Sequence, residues 1–159
     1  MKKSIVYSSI TGNTKMLALK IQEKIGSDVY CGKINEEAKD AQLIFIGFWT
    51  TKFSCSDDIK EFIKSLRNKK IFLFGTAGYD YTQEFFESIL KNVKENIDSS
   101  NEIVGTYMCQ GKVSDAKQKA IKDMDIDKYN QMKPNLDKSL NHPNQDDLSK
   151  LINEVDKVI

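Results

Sequence analysis

The chain has 159 residues, enough for one domain with its own core and no need of disulfides or a structural metal. Its 40% hydrophobic and 30% charged residues are those of a globular protein, and no apolar run approaches the length that crosses a bilayer, so membrane insertion is not expected. With 24 basic against 23 acidic residues, a formal charge of +1 and no basic stripe, the chain carries no electrostatic footprint for nucleic acid.

Two lysines precede the first apolar run, but no signal-peptide core or small-residue cleavage site follows, so a cytoplasmic location is expected. Cys31, Cys55 and Cys109 are odd in number and lack C-x-x-C spacing, which predicts reduced thiols rather than a disulfide framework or a zinc site. Ile5–Ser8 reads as a buried strand, and Leu17, Ala18, Ile21 and Ile25 recur at helical spacing over about Asn13–Ile25. Between them lies Ser8-Ser9-Ile10-Thr11-Gly12-Asn13-Thr14, a hydroxyl-rich loop centred on a glycine. Because it opens a helix, its unpaired N–H groups and the positive end of the helix dipole suit an anion. Gly12 permits close backbone approach, and Ser9, Thr11 and Thr14 add hydroxyl donors. An ordinary capped turn accounts for one or two of these residues and poorly for all four hydroxyls around one glycine.

Asp28–Cys31 reads as a second strand, and Lys33–Ala41 is too short and polar for more than one or two helical turns. The third strand, Leu43–Phe48, runs into Gly47-Phe48-Trp49-Thr50-Thr51-Lys52-Phe53-Ser54-Cys55, which places the single tryptophan in a loop. Ile59, Phe62, Ile63 and Leu66 mark a helix after Asp57-Asp58. The fourth strand, Ile71–Gly75, leads into Gly75-Thr76-Ala77-Gly78-Tyr79-Asp80-Tyr81, two tyrosines beside glycines, and then into a helix after Thr82 bearing Phe85, Phe86, Ile89, Leu90 and Val93. Ile103–Met108 is the fifth strand, with Gln110 and Lys112 just beyond its end. Val113–Tyr129 reads as a helix of modest apolar content. Asn130–Asn144, with Pro134 and Pro143, reads as a loop or lid. Leu148, Leu151, Ile152, Val155 and Val158 mark a closing helix capped by Asn144. The alternation of strands and helices predicts an α/β fold with a parallel sheet covered on both faces.

The run Ser9-Ile10-Thr11-Gly12-Asn13-Thr14 resembles the flavodoxin phosphate loop, [S/T]-x-T-G-x-T after the first strand, at every defined position. It matches neither the Walker A spacing nor G-x-G-x-x-G. The resemblance covers about residues 1–111. It implies a flavodoxin-like three-layer sandwich with a five-stranded parallel sheet in the order 2-1-3-4-5, one domain over residues 1–159 with an extended C-terminal region, and ligand loops after the first, third and fourth strands. It implies FMN, its phosphate held by Ser8, Ser9, Ile10, Thr11, Gly12, Asn13 and Thr14. Phe48, Trp49, Thr50, Thr51 and Lys52 would lie on one side of the isoalloxazine, and Gly75, Thr76, Ala77, Gly78, Tyr79 and Tyr81 on the other, with Trp49 and Tyr79 flanking the ring.

The implied role is electron transfer between a flavin reductase and an acceptor flavoenzyme. The chain is similar to short flavodoxin-like proteins of anaerobic gut bacteria, which implies bilirubin reduction and a bilin-reducing enzyme as acceptor. A flavin-dependent NAD(P)H or quinone oxidoreductase, and a non-redox interaction module, are the competing readings on this fold. Two departures qualify the resemblance. Flavodoxins are usually strongly acidic and this chain is near neutral, and many have a glycine in the loop after the third strand, where Thr50–Ser54 has none. A positive φ there would carry a cost. Cys109 reads as a small buried hydrophobe, Cys55 lacks a resolving partner, and His142 reads as turn-initiating, without companion ligands. No general acid, base, nucleophile or metal ligand set stands out.

Overall fold

In a computed structural model describing Met1–Ile159, five strands form one sheet: β1 (Lys3–Tyr7), β2 (Tyr30–Gly32), β3 (Leu43–Trp49), β4 (Lys70–Ala77) and β5 (Glu102–Gln110). All pairings are parallel, and the order β2-β1-β3-β4-β5 is the one expected. Successive side chains of a strand point to opposite faces, so the run Leu43–Phe48 serves two cores at once. Leu43 and Phe45 pack with Phe72, Phe74 and Ile5 against α1 (Asn13–Ile25) and α6 (Gln145–Asp156). Ile44, Ile46 and Phe48 pack with Ile71, Leu73 and Val6 against α2 (Asp57–Ser65) and α3 (Gln83–Lys94). Each of these fully buried side chains contributes roughly 1.5–3 kcal/mol of transfer free energy, and Phe45 and Phe72 meet as a tilted pair at 5.3 Å between centroids.

Helix α1 occupies the predicted span and buries Leu17, Ala18 and Ile21. Thr82 caps α3 by accepting the N–H of Phe85, and Asn144 caps α6 in a reciprocal box with Asp147. The strand ends differ from expectation. β1 stops at Tyr7, leaving Ser8 to the loop, whereas β4 runs on through Thr76 and Ala77 because β5 extends to Gln110 and gives both a ladder partner. Those two residues are therefore strand, not loop.

The C-terminal third departs most. Val113–Tyr129 is not one helix, and Asn130–Asn144 is not mainly a loop: the chain forms α4 (Asp115–Lys122) and α5 (Ile126–Ser139), with Pro134 inside α5. Asp125 caps α5 by accepting the N–H of Asp127, and Lys133 pairs with Asp137 at 2.7 Å one turn on. Tyr129, Met132 and Leu136 share a face and pack with Val113 and Ile121 in a small separate core. That packing outweighs the one helical hydrogen bond that Pro134 forfeits. His142 does sit in the turn before α6, where its Nδ1 lies 2.6 Å from Asp147 Oδ2.

Close packing at the strand ends leaves no room at Gly75, where an added Cβ would lie 2.4 Å from the Phe48 ring. Gly75→Ala is expected to destabilise the fold by about 1–3 kcal/mol in urea unfolding, and an unchanged midpoint would contradict this packing. Burial raises the thiol pKa of Cys31, Cys55 and Cys109, and the last two are almost wholly enclosed. Native alkylation at pH 8 should therefore modify Cys31 first, with Cys55 and Cys109 reacting only on unfolding, as peptide mass mapping would reveal.

Candidate functional site

At the C-terminal edge of the sheet the β1–α1 loop turns through Gly12, at φ 94°, and delivers the first turn of α1. A side-chain residue would be strained in that left-handed conformation. The Ser9 hydroxyl oxygen accepts from the N–H of Gly12 at 3.2 Å and of Lys15 at 3.4 Å. The N–H groups of Ile10, Thr11, Asn13 and Thr14 have no partner within the chain. Four free donors at the positive end of a thirteen-residue helix make a concave anion seat with no fixed cation of its own.

Two side chains of the loop face the protein rather than the seat. Thr14 is buried, and its hydroxyl donates to the carbonyl of Phe48 at 3.1 Å. Its single proton is thereby used, so the Thr76 hydroxyl, also at 3.1 Å, is the donor to Thr14 Oγ1. Asn13 Nδ2 donates to the carbonyl of Lys112 at 2.9 Å. The loop is thus pinned to the ends of β3 and β4 and to the chain leaving β5. Thr14 serves this geometry through its side chain and leaves only its backbone N–H to the seat.

The seat opens on a cavity of about 350 Å³, a size suited to a small cofactor. Its walls are Ser9, Ile10, Thr11, Asn13 and Thr14 from the loop, Trp49 at the end of β3 rather than in the loop expected for it, with Thr50 and Thr51 after it, and Thr76 and Ala77 at the end of β4 with Gly78 and Tyr79 after them. Phe85, Lys112, Val113, Ser114 and Lys117 complete it. The free N–H groups of Gly78 and Tyr79 belong to this wall, whereas Thr50 donates both N–H and hydroxyl to the carbonyl of Thr76 at 2.9 Å. Thr51 likewise donates its N–H to the carbonyl of Ser54, so neither threonine offers its N–H to a ligand. On the other side of the same loop a wider cleft of about 870 Å³ is lined by Ser8, Gly12, Lys15, Lys33, Glu36, Asp58 and Glu61 among others. It holds mixed charge and neither Trp49 nor Tyr79.

Thr51 and Ser54 close a tight turn whose central residues, Lys52 and Phe53, have φ of 49° and 59°. This glycine-free loop does take positive φ at two positions, each costing about 1 kcal/mol or more. Asn92 Nδ2 holds the turn by donating to the carbonyl of Phe53 at 2.7 Å, and the Phe53 ring is left exposed.

The cavity therefore brings together twelve of the predicted residues: Ser9, Ile10, Thr11, Asn13, Thr14, Trp49, Thr50, Thr51, Thr76, Ala77, Gly78 and Tyr79. Six others stand apart. Ser8 and Gly12 line the wider cleft, the ring of Phe48 belongs to the core, Lys52 is at the turn, and Gly75 makes room for Phe48. Tyr81 faces α5, where Lys138 Nζ donates to its hydroxyl at 2.6 Å. Sequence reading did not find Phe85, Ser114 or Lys117. Ser114, three residues before Lys117, carries a helix-cap signal and does accept the N–H of Lys117 at 3.2 Å, but nothing local shows that this helix start reaches the cavity.

The family model described as a flavodoxin domain matches residues 4–156. Two relatives, each a flavodoxin-like domain-containing protein BilS, are similar: that of Clostridioides difficile is 31% identical, covering 93% of this chain and 90% of its own. That of Clostridium symbiosum is 33% identical over 71% of this chain and 70% of its own. Among solved structures, a flavoprotein in complex with FMN from Lactobacillus acidophilus superposes with a TM-score of 0.53 at 19% identity, over 68% of this chain and 93% of the other. A family match over nearly the whole length, on a sheet of the corresponding order, makes this chain a member of the flavodoxin family.

Proposed function

We propose that the chain binds FMN non-covalently and carries electrons between a flavin reductase and an acceptor flavoenzyme. The observation that carries this reading is the joining of four free N–H groups to a cavity with Trp49 and Tyr79 in its walls. The N–H groups of Ile10, Thr11, Asn13 and Thr14 would hold the phosphate, with the Thr11 hydroxyl beside them. Trp49 and Tyr79 would cover the isoalloxazine and exclude water, and the N–H groups of Gly78 and Tyr79 would bond its polar edge. When bound, FMN supplies one- and two-electron transfer, which these side chains do not.

The titratable side chains lining the cavity are Tyr79, Lys112 and Lys117, with no carboxylate, imidazole or thiol among them. That set supports a carrier, which needs no general acid or base, over an enzyme acting on its own substrate. Similarity to the two BilS proteins supports a bilin-reducing flavoenzyme as acceptor. Three unpaired cysteines support a reducing, cytoplasmic setting, and no helix is long and apolar enough to cross a membrane.

Fluorescence titration is expected to show FMN binding at least about tenfold tighter than riboflavin, the ratio that charge-assisted hydrogen bonds to a phosphate provide. Thr11→Glu places a carboxylate at the exposed loop and should abolish that preference while leaving riboflavin affinity within about twofold. Equal affinities in the parent, or no uptake of FMN at micromolar concentration, would overturn the cofactor reading. Rapid bleaching of the bound flavin by NADPH alone would overturn the carrier reading and favour an oxidoreductase.

A further inference from the structure

The cavity carries a charge pattern that phosphate binding does not require. Its only charged lining residues are Lys112 and Lys117, and neither enters an ion pair. Lys112 stands at the loop end, its carbonyl bonded to Asn13. Lys117 lies against the Tyr79 wall, its Nζ 5.7 Å from the centre of the Tyr79 ring. It also occupies the first turn of α4, where a cation opposes the helix dipole and local preference favours acids such as Asp115. Local helix energetics therefore do not explain a lysine there.

We propose that Lys117 is a potential-setting residue, whose ammonium stabilises the reduced form of the flavin over the oxidised form. The proposal rests on the FMN reading above. Near neutral pH an oxidised isoalloxazine takes up two electrons and one proton, the proton going to N5, and the resulting negative charge is shared by N1 and the C2 carbonyl oxygen. An ammonium on the cavity wall attracts that charge and has little to attract before reduction. The cation–π contact with Tyr79 holds the lysine against the cavity wall. A cavity free of carboxylates leaves this attraction unopposed from within its walls. Carriers that enclose the flavin in acidic residues disfavour the reduced anion, so this chain should be the more oxidising of the two kinds and the better acceptor from its reductase.

The test uses the full chain loaded with FMN, reduced by dithionite beside a reference dye, and reads the midpoint potential together with the dissociation constants of both redox forms. Lys117→Met should weaken binding of reduced FMN about tenfold and of oxidised FMN less than twofold, lowering the two-electron potential by about 30 mV. Lys117→Arg should restore the parental value. Lys119→Gln removes the same charge from the same helix outside the cavity and should leave the potential unchanged. Because Lys117 is exposed, the difference should shrink as salt is raised from 20 mM to about 500 mM. An unchanged potential in a Lys117→Met protein that still takes up FMN, or an equal shift in Lys119→Gln, would overturn the assignment alone. Failure of the parent to take up FMN would overturn the cofactor reading beneath it.

Discussion

One buried hydroxyl holds the site together. Thr14 Oγ1 donates to the carbonyl at the end of β3 and accepts from Thr76 near the end of β4, so the start of α1 is locked to two neighbouring strands. Each such bond contributes about 1 kcal/mol net, but leaving the buried carbonyl of Phe48 or the hydroxyl of Thr76 unpaired costs about 1–3 kcal/mol. The larger effect is geometric. The anion seat lies on one side of this lock and the walls containing Trp49 and Tyr79 on the other, so their separation is set by the register of the sheet rather than by loop flexibility. Thr50 extends the same lock by placing two donors on the carbonyl of Thr76.

Much of this was legible because the signals were local. The span of α1 follows from Leu17, Ala18 and Ile21 at helical spacing, and the caps at Thr82 and Asn144 follow from short polar side chains that bond the helix start. The loop motif was legible for the same reason, since Gly12 and its hydroxyl neighbours act on their own backbone. Other features depend on distant chain. Whether Thr76 and Ala77 are strand or loop is decided by β5, more than thirty residues later. Whether the Thr14 hydroxyl faces ligand or protein is decided by the carbonyl of Phe48. Helix α5 was missed because Pro134 is a strong local breaker, overridden by contacts of Met132 and Leu136 with Val113 and Ile121 that no window of sequence displays.

The departures from the family pattern gather on one rim. Lys52 and Phe53 occupy left-handed conformations that glycine would adopt at no steric cost, and the turn is held by Asn92 from α3. The Phe53 side chain is exposed on that turn, and Ile10 and Tyr79, which line the cavity, are exposed as well. The α4–α5 hairpin adds a further wall, tied to the sheet by Gln110 Nε2, which donates to the carbonyls of Gly78 and Asn135. The extra C-terminal length thus contributes directly to the cavity through Val113, Ser114 and Lys117.

The central claim is that a phosphorylated flavin occupies the cavity between the loop and the two strand-end walls. Amide and indole chemical-shift mapping of the ¹⁵N-labelled chain on addition of FMN tests it most directly. The largest changes should fall on Ile10, Thr11, Asn13, Thr14, Gly78 and Tyr79 and on the indole of Trp49. Changes confined to Lys33, Glu36 and Glu61 in the wider cleft, or no changes at all, would contradict the account.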